Sequence, residues 1–191
     1  MNENDSQPES NWLQRLHQSD ENALALLMGK YYTELYNYAT SFTRDQELVK
    51  DCIQEVFIDL WQRRGNAIDI LSPKYYLLRA VKNKVLKSTH KNSLFTDYES
   101  LEKECDFLCE FSIEKIIIEK QLSEEKAVRL KKVISGLSKR QQEIIHLKYY
   151  QHLCHVQIAE LMNISTQSVY NLLHETIQKL KSVWRSEFVS G

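Results

Sequence analysis

Polar side chains suited to reading DNA lie at helical spacing near the end of this chain. Ser165 can cap a helix that begins near Thr166, and one face of that helix carries groups suited to base edges in a major groove. These residues are Gln167, Tyr170, Asn171, His174 and Gln178. The residues expected on the core side are Val169, Leu172, Leu173, Ile177 and Leu180. The pattern favours a DNA-reading helix, although a helical hairpin with a solvated outer face fits it as well.

The segment before this helix is typical of a helix-turn-helix. A short amphipathic helix at about 155–162 leads into the turn Asn163-Ile164-Ser165. Upstream, Ser138 and Gln141 have capping-box spacing, so we expect another helix to begin there.

A second candidate surface lies on the helix that Pro73 can begin. Aromatic rings on this helix can stack on unpaired bases, and its cations can neutralise phosphates. The residues on or beside the surface are Tyr75, Tyr76, Arg79, Lys82, Asn83 and Lys87. Either tyrosine could instead belong to the core.

Charge alternates along the chain, although the net charge is only −1. Residues 74–91 contain basic but no acidic side chains, residues 97–125 are mostly acidic, and residues 126–150 are basic apart from Glu143. Two basic segments on either side of an acidic one suit two DNA-contacting modules joined by a connector. Solvated surface charge can also produce such alternation by chance.

The long helix expected from Asp45 to about Arg64 carries a different kind of surface. Acidic and amide side chains share one exposed face with an outward isoleucine, and such a patch can bind a basic partner around a small apolar contact. Its members are Asp51, Gln54, Glu55, Ile58 and Gln62. From periodicity alone, a solvated helix face with i, i+4 pairs is the preferred explanation of these residues.

Two specific strings occur in this chain in a fixed order. The string D-x-x-Q-E-x-F-x-x-L-W comprises Asp51, Gln54, Glu55, Phe57, Leu60 and Trp61. The string L-x-x-R-Q-x-E comprises Leu137, Arg140, Gln141 and Glu143, with Ile158-Ala159-Glu160 and Ser165 after it. In this order and at this distance, the two blocks resemble regions 2 and 4 of the bacterial extracytoplasmic-function (ECF) sigma factors, the two-domain members of the sigma-70 family.

The resemblance implies an all-α protein with two small helical domains joined by a linker. Sigma region 2, for core polymerase and the −10 element, would occupy residues 10–92. An acidic linker would occupy residues 93–119, and sigma region 4, with its helix-turn-helix for the −35 element, residues 120–187.

The resemblance also implies a role for each surface in promoter recognition, melting and transcription initiation. The face around Gln54 and Glu55 would dock on the clamp helices of the largest subunit of core RNA polymerase. The helix after Pro73 and the loop 66–72 would recognise the −10 element and hold a flipped base. Side chains expected on the −35 duplex are Thr166, Gln167, Ser168, Tyr170, Asn171 and His174, with Lys139, Arg140 and Lys148 on its backbone. An anti-sigma factor, often membrane-anchored in this family, would cover the DNA-facing surfaces.

The chain departs from the family pattern in the last domain. Asn171 and Glu175 stand where arginine or lysine is frequent, and Cys154-His155 replaces the usual small capping residue and aromatic. Because Glu175 repels phosphate, we expect weak intrinsic affinity for duplex DNA, with polymerase supplying the rest.

Hydrophobic spacing also predicts the remaining elements. A short helix should contain Trp12, Leu13 and Leu16, and two helices should follow, one from Asp20 through Tyr31 and one through Leu35, Tyr38 and Phe42. The helix from Asp45 should end at Gly65 or Asn66 with a positive φ. Later helices are expected at 73–90, 123–135, 138–150, 155–162 and 166–185, after a partly helical linker at 92–112. The inward residues of the helix from Asp45 should be Val49, Cys52, Ile53, Val56, Phe57 and Leu60.

Several other functions find no support in the sequence. No apolar run is long enough to span a membrane, and the N-terminus does not resemble a signal peptide, so we expect a cytoplasmic protein without membrane insertion. His146, His152, Cys154 and His155 lack the paired spacing of a zinc site. No catalytic constellation or phosphate-binding loop occurs, and the sequence predicts no enzyme activity, no metal and no cofactor.

Two alternatives to a sigma factor are also compatible with the sequence. A helix-turn-helix regulator that binds duplex DNA as a dimer would need no polymerase-docking face. A helical adaptor or anti-sigma-like protein that binds only protein would not lose function when Lys82, Asn83 or Asn171 is replaced.

Overall fold

The computed structural model describes residues 9–92 and 132–188. Every regular secondary-structure element in these two ranges is a helix. The all-α prediction is therefore confirmed. The chain divides into two compact units, Met1–Cys105 and Asp106–Gly191. None of the described helices is long and apolar enough to cross a lipid bilayer.

Within residues 9–92, the first unit contains four α-helices and a short 3-10 helix. These elements are α1 (Glu9–His17), α2 (Glu21–Ala39), α3 (Gln46–Gln62), the 3-10 helix Arg64–Asp69 and α4 (Pro73–Asn92). Polar side chains define where the helices begin: Asp20 Oδ1 accepts from the N–H of Asn22 at 2.9 Å, and Asp45 Oδ1 from that of Leu48 at 3.0 Å. Ser72 Oγ accepts from the N–H of Tyr75 at 3.3 Å, just before Pro73. Side-chain acceptors at these positions satisfy N–H groups that have no partner within the helix.

The core of the first unit lies between these helices. Trp12 and Leu16 of α1 are buried together with Leu27 and Tyr38 of α2. The predicted inward stripe of α3 is confirmed, since all six of its residues are buried: Val49, Cys52, Ile53, Val56, Phe57 and Leu60. Burial raises the pKa of the Cys52 thiol, which agrees with its interpretation as a core residue.

Two predictions for the first unit are wrong. A single helix, α2, replaces the two expected between Asp20 and Phe42, because no residue there interrupts the helical hydrogen bonds; Phe42 lies beyond it, with its ring edge-on to Tyr38 at 4.9 Å. The helix α3 ends at Gln62, and the chain continues as a 3-10 helix rather than stopping at Gly65. No glycine in the described ranges has a positive φ.

The second unit contains the predicted helix-turn-helix. Residues 132–135 are helical, and the following elements are α5 (Lys139–Ile145), a π-helical segment (His146–Tyr150), α6 (His155–Leu161) and α7 (Thr166–Phe188). The capping box is confirmed: the N–H of Gln141 donates to Ser138 Oγ at 3.3 Å, and Gln141 Oε1 accepts from the N–H of Ser138 at 3.1 Å. The predicted linker, and most of the helix predicted at 123–135, lie outside the described residues.

The helix predicted at 138–150 differs in its last turn. After Ile145 the backbone widens into the π-helical segment, and the N–H of Gln151 donates to the carbonyl of His146 at 3.0 Å. His146, Tyr150 and Gln151 are all buried, and the His146 and Tyr150 rings lie 4.8 Å apart. Such π-helical turns are rare and are found mostly as single turns within longer helices.

Candidate nucleic-acid interface

The first turn of α7 is capped by a serine pair. The N–H of Ser168 donates to Ser165 Oγ at 3.0 Å, and the two hydroxyl oxygens are 2.8 Å apart. Asn163, in the turn before α7, has a φ of 49°, a left-handed conformation that asparagine tolerates better than most residues. The predicted cap at Ser165 is therefore confirmed, and α7 begins directly after the turn.

The outer face of α7 carries the predicted polar side chains. All five are exposed: Gln167, Tyr170, Asn171, His174 and Gln178. Gln167 Nε2 donates to Asn171 Oδ1 at 3.1 Å, which holds two amide groups in a defined orientation. Ser168 is also exposed and Thr166 is half-buried. Hydrogen-bonding groups fixed on one exposed helix face are what direct readout of base edges requires.

The opposite side of α7 packs on the second unit's core. Val169 and Leu173 are buried, whereas Leu172, Ile177 and Leu180 are half-buried. Thr176 is also fully buried, and its hydroxyl donates to the carbonyl of Leu172 at 2.6 Å. Sequence periodicity did not identify Thr176 because its hydroxyl makes it look polar, yet a local hydrogen bond satisfies that group.

An aromatic contact joins α6 to the outer face of α7. The His155 ring lies 4.3 Å from the Tyr170 ring, at an interplanar angle of 42°. At the same helix end, Gln157 Oε1 accepts from the N–H of Cys154 at 3.0 Å. The sequence identifies Cys154-His155 only as a departure from the family pattern. In the structure, Gln157 contributes to the cap of α6, and His155 supplies the ring that contacts Tyr170.

Cations border the helix-turn-helix at several points. Arg140 is exposed at the start of α5, while Lys139 and Lys148 are half-buried. Lys179 of α7 donates to the carbonyl of Gly136 at 3.0 Å, which ties the middle of α7 to the turn before α5. The three residues predicted to contact the DNA backbone thus lie in or beside α5. Glu175 is exposed on α7.

The predicted surface of α4 is only partly formed as expected. Arg79, Asn83 and Lys87 are exposed, whereas Tyr75 and Tyr76 are half-buried. Arg79 Nη1 lies 3.4 Å from the Tyr75 hydroxyl.

Lys82 does not share the exposed surface of α4. It is only 6% exposed, with its ammonium 5.4 Å from the centre of the Phe42 ring. Its apolar stem is buried by the packing of α4 on the end of α2, and the charge rests against an aromatic face. The expectation that Lys82 lies open to phosphates is therefore wrong.

A pocket of about 320 Å³ lies beside the segment predicted to hold a flipped base. Its walls come from α1, from residues 68–71 and from the start of α4, and Ile68 and Leu71 are strongly exposed. The lining residues are Leu13, Gln14, Ile68, Ile70, Leu71, Ser72 and Pro73. The contribution of α1 could not be read from the sequence, because it depends on how α1 packs against the 3-10 helix.

The exposed face of α3 has the composition expected for a partner surface. Asp51, Gln54, Glu55, Ile58 and Gln62 are all exposed, and Ile58 retains 52% of its accessible surface. The carboxylates can steer a basic partner towards this face, and Ile58 offers that partner a small apolar contact.

An ion-pair cluster links the α3 face to α4. Lys84 Nζ lies 2.7 Å from Asp59 Oδ2 and 3.0 Å from Glu55 Oε2. Burial alone lowers the pKa of Lys84, but the bonds to Asp59 and Glu55 outweigh it and leave the pKa raised. Neither Lys84 nor Asp59 was identified from the sequence as a site residue, because their pairing depends on the packing of two helices.

Two family models match the chain at these surfaces. The model described as Sigma-70 region 2 matches residues 27–94, and that described as Sigma-70, region 4 matches residues 133–182. The chain belongs to the sigma-70 family. The predicted resemblance is therefore confirmed, and every candidate polymerase-binding or −10 residue lies in the region 2 match, whereas every candidate −35 residue lies in the region 4 match.

Individual relatives place this sigma-70 chain with the ECF type. It is 22% identical over 173 residues to the ECF RNA polymerase sigma factor SigK of Mycobacterium sp. (strain JLS), covering 89% of this chain and 87% of SigK. It is 23% identical over 158 residues to the ECF RNA polymerase sigma factor SigM of Bacillus subtilis (strain 168), covering 81% of this chain and 90% of SigM. The fold also resembles that of CnrH, solved in complex with the cytosolic domain of CnrY, with a TM-score of 0.52 and 16% identity over 93% of this chain and 97% of CnrH.

Proposed function

We propose that this chain binds core RNA polymerase through the exposed face of α3 and directs it to promoters through α4 and α7. The observation that carries this function is the presence of sigma-70 regions 2 and 4 in one chain, in that order. A duplex-binding regulator would need region 4 alone and would leave the exposed face of α3 without a role.

Region 2 supplies the proposed contacts with polymerase and with the −10 element. Polymerase docks on the acidic and amide side chains around Ile58, which is 52% exposed. On the DNA side, Arg79, Asn83 and Lys87 face solvent, and the pocket between α1 and residues 68–71 offers apolar walls to an unstacked base. Removing a base from its stack costs about a few kcal/mol, so a shaped pocket and phosphate contacts are needed to offset it. Lys82 is left out of this surface because it is buried.

Region 4 supplies the proposed contacts with the −35 duplex. The exposed side chains of α7 read base edges, while Arg140 and the other cations near α5 hold the phosphate backbone. The residues assigned to the duplex are Thr166, Gln167, Ser168, Tyr170, Asn171 and His174, with Lys139, Arg140 and Lys148 on the backbone. Free N–H groups at the start of α7 add a further place for a phosphate.

An anti-sigma factor is the proposed inhibitor of this chain. The structural neighbour CnrH occurs in a complex with the cytosolic domain of CnrY, so a chain of this fold can be held by a second protein. We assign no catalytic step to the chain itself, and phosphodiester bond formation belongs to the polymerase.

In-vitro transcription with purified core polymerase tests the proposed function. The template is the DNA upstream of the chain's own coding sequence, and the expected result is a discrete transcript that requires both the chain and core polymerase. The variant Gln54→Ala/Glu55→Ala should abolish that transcript. The matched control Glu21→Ala/Asn22→Ala removes an exposed carboxylate and an exposed amide from α2 of the same unit and should transcribe normally. Equal transcription by the two variants would overturn the docking assignment.

A further inference from the structure

Lys84 of α4 contacts the proposed polymerase face of α3 and also lines a groove beside the proposed DNA face of α4. Its ammonium bridges Glu55 and Asp59 of α3, yet Lys84 also lines a groove of about 230 Å³ between α3 and α4. The other polar residues of that groove are Asp59, Arg63, Tyr76, Asn83 and Lys87. Three cations against one carboxylate make the groove a candidate for binding an anion.

The two carboxylates limit what this groove can bind. Asp59 lines it directly, and Glu55 lies 3.0 Å from the Lys84 ammonium at its edge. With both carboxylates beside it, the cluster of Lys84, Glu55 and Asp59 has a net charge of −1 and repels an approaching phosphate. Arg63 and Lys87 are exposed, and neither makes an ion pair within the described residues, so they remain available to a phosphate when Lys84 is not.

We propose that Lys84 can contact a phosphate of a single nucleic-acid strand in the groove between α3 and α4. In the free chain, the ion pair with Glu55 prevents this contact. The contact becomes possible when Glu55 pairs instead with a cation of a docked partner. The last step rests on the proposed function, since Glu55 lies on the face assigned to polymerase. Asp59, at 2.7 Å, stays paired with Lys84 after Glu55 has left, so the cluster changes from a net charge of −1 to neutral and no longer repels a phosphate that accepts from the Lys84 ammonium. Lys84 thus couples protein docking on α3 to strand binding on α4.

The coupling can be measured in the isolated full-length chain by replacing Glu55 with a neutral side chain. The probe is a fluorescently labelled oligodeoxythymidine, and its anisotropy is followed over a range of salt concentrations. Glu55→Gln should bind about two- to fivefold more tightly than the unmodified chain. The slope of log affinity against log salt should steepen by roughly 0.7, the increment for one further phosphate contact with a single strand.

A double-mutant cycle distinguishes an effect that acts through Lys84 from a general effect of the changed net charge. Glu55→Gln should give no gain in a Lys84→Met background, which keeps most of the buried stem, and should keep its gain in a Lys84→Arg background. The control Glu47→Gln removes the same charge from the first turn of α3, where Glu47 pairs with Lys50 at 2.7 Å, and should leave strand binding unchanged. If Lys84→Met does not fold, as judged by its circular dichroism, Lys84→Gln takes its place in the cycle.

Three outcomes would overturn the proposal: an equal gain from Glu55→Gln with and without Lys84, an equal gain from Glu47→Gln, or no strand binding by any variant at low salt. The proposed function fails separately. A chain that shows the expected cycle but does not bind core polymerase keeps the Lys84 contact and loses its assigned partner, whereas a chain that binds polymerase without the cycle loses only the Lys84 contact.

Discussion

The His155 and Tyr170 rings lie 4.3 Å apart and join the beginning of α6 to the outer face of α7. Tyr170 is 51% exposed, so it can contact DNA while one side of its ring rests on His155. The contact reduces the rotamer freedom of Tyr170 before DNA binds, which lowers the entropy lost on binding.

Replacing His155 should lower the unfolding free energy of the second unit and weaken its binding to the −35 element. His155→Ala should cost about 0.5–1.5 kcal/mol of unfolding free energy, the usual worth of an aromatic pair, measured by denaturant unfolding. His155→Phe should restore most of it. The neighbouring exposed Val156 on α6 offers a control, and an equal loss from Val156→Ala would argue against a specific ring contact.

Glu175 should limit the affinity of the isolated chain for duplex DNA. It is exposed on α7, where a negative charge repels phosphates. Glu175→Lys should tighten duplex binding in a gel shift without polymerase and steepen its salt dependence by about 0.9, the value for one phosphate contact with a duplex. The same charge change at exposed Glu21 of the first unit should have little effect. A salt dependence unaltered by Glu175→Lys would place this residue away from the DNA.

The pocket beside residues 68–71 should matter for promoter opening and not for folding. Leu71 lines the pocket and is fully exposed, so Leu71→Ser removes little buried surface. We expect Leu71→Ser to leave the unfolding free energy unchanged and to reduce the permanganate reactivity of −10 thymines in complexes with polymerase. Leu71→Met should retain that reactivity, and undiminished opening by Leu71→Ser would exclude the pocket as the base-binding site.

The salt bridge between Arg15 and Asp20 should make stability depend on acid pH. Arg15 Nε donates to Asp20 Oδ2 at 2.8 Å, and this bond holds the pKa of Asp20 below its ordinary value. A carboxyl with a lowered pKa stabilises the fold above its pKa in the unfolded chain, and that contribution is lost as pH falls through its pKa in the folded chain. Asp20→Asn keeps a capping side chain but loses the carboxylate charge. Its free energy of unfolding should therefore be lower than that of the unmodified chain at neutral pH, and this difference should disappear in acid. Unfolding curves across that range measure it, and a deficit independent of pH would show that the bond has no such role.

What could be predicted from the sequence depended on local spacing. The inward stripe of α3 and the cap at Ser165 follow from helical periodicity and from the chemistry of one side chain, so both were predictable. The burial of Lys82 was not, because it depends on where Phe42 lies after α2. The Lys84 bridge and the pocket wall from α1 likewise require helices to be placed against one another, which hydrophobic periodicity does not specify. Domain boundaries, and the residue-level contacts with polymerase and DNA, stay predictions.

The most direct measurement is the affinity of the purified chain for core RNA polymerase in the absence of DNA. The unmodified chain and Glu21→Ala/Asn22→Ala should bind equally well, whereas Gln54→Ala/Glu55→Ala should bind at least about tenfold more weakly, as expected when central interface residues are truncated. Failure of the unmodified chain to bind, or equal binding by all three proteins, would contradict the assignment of α3 as the polymerase-docking face.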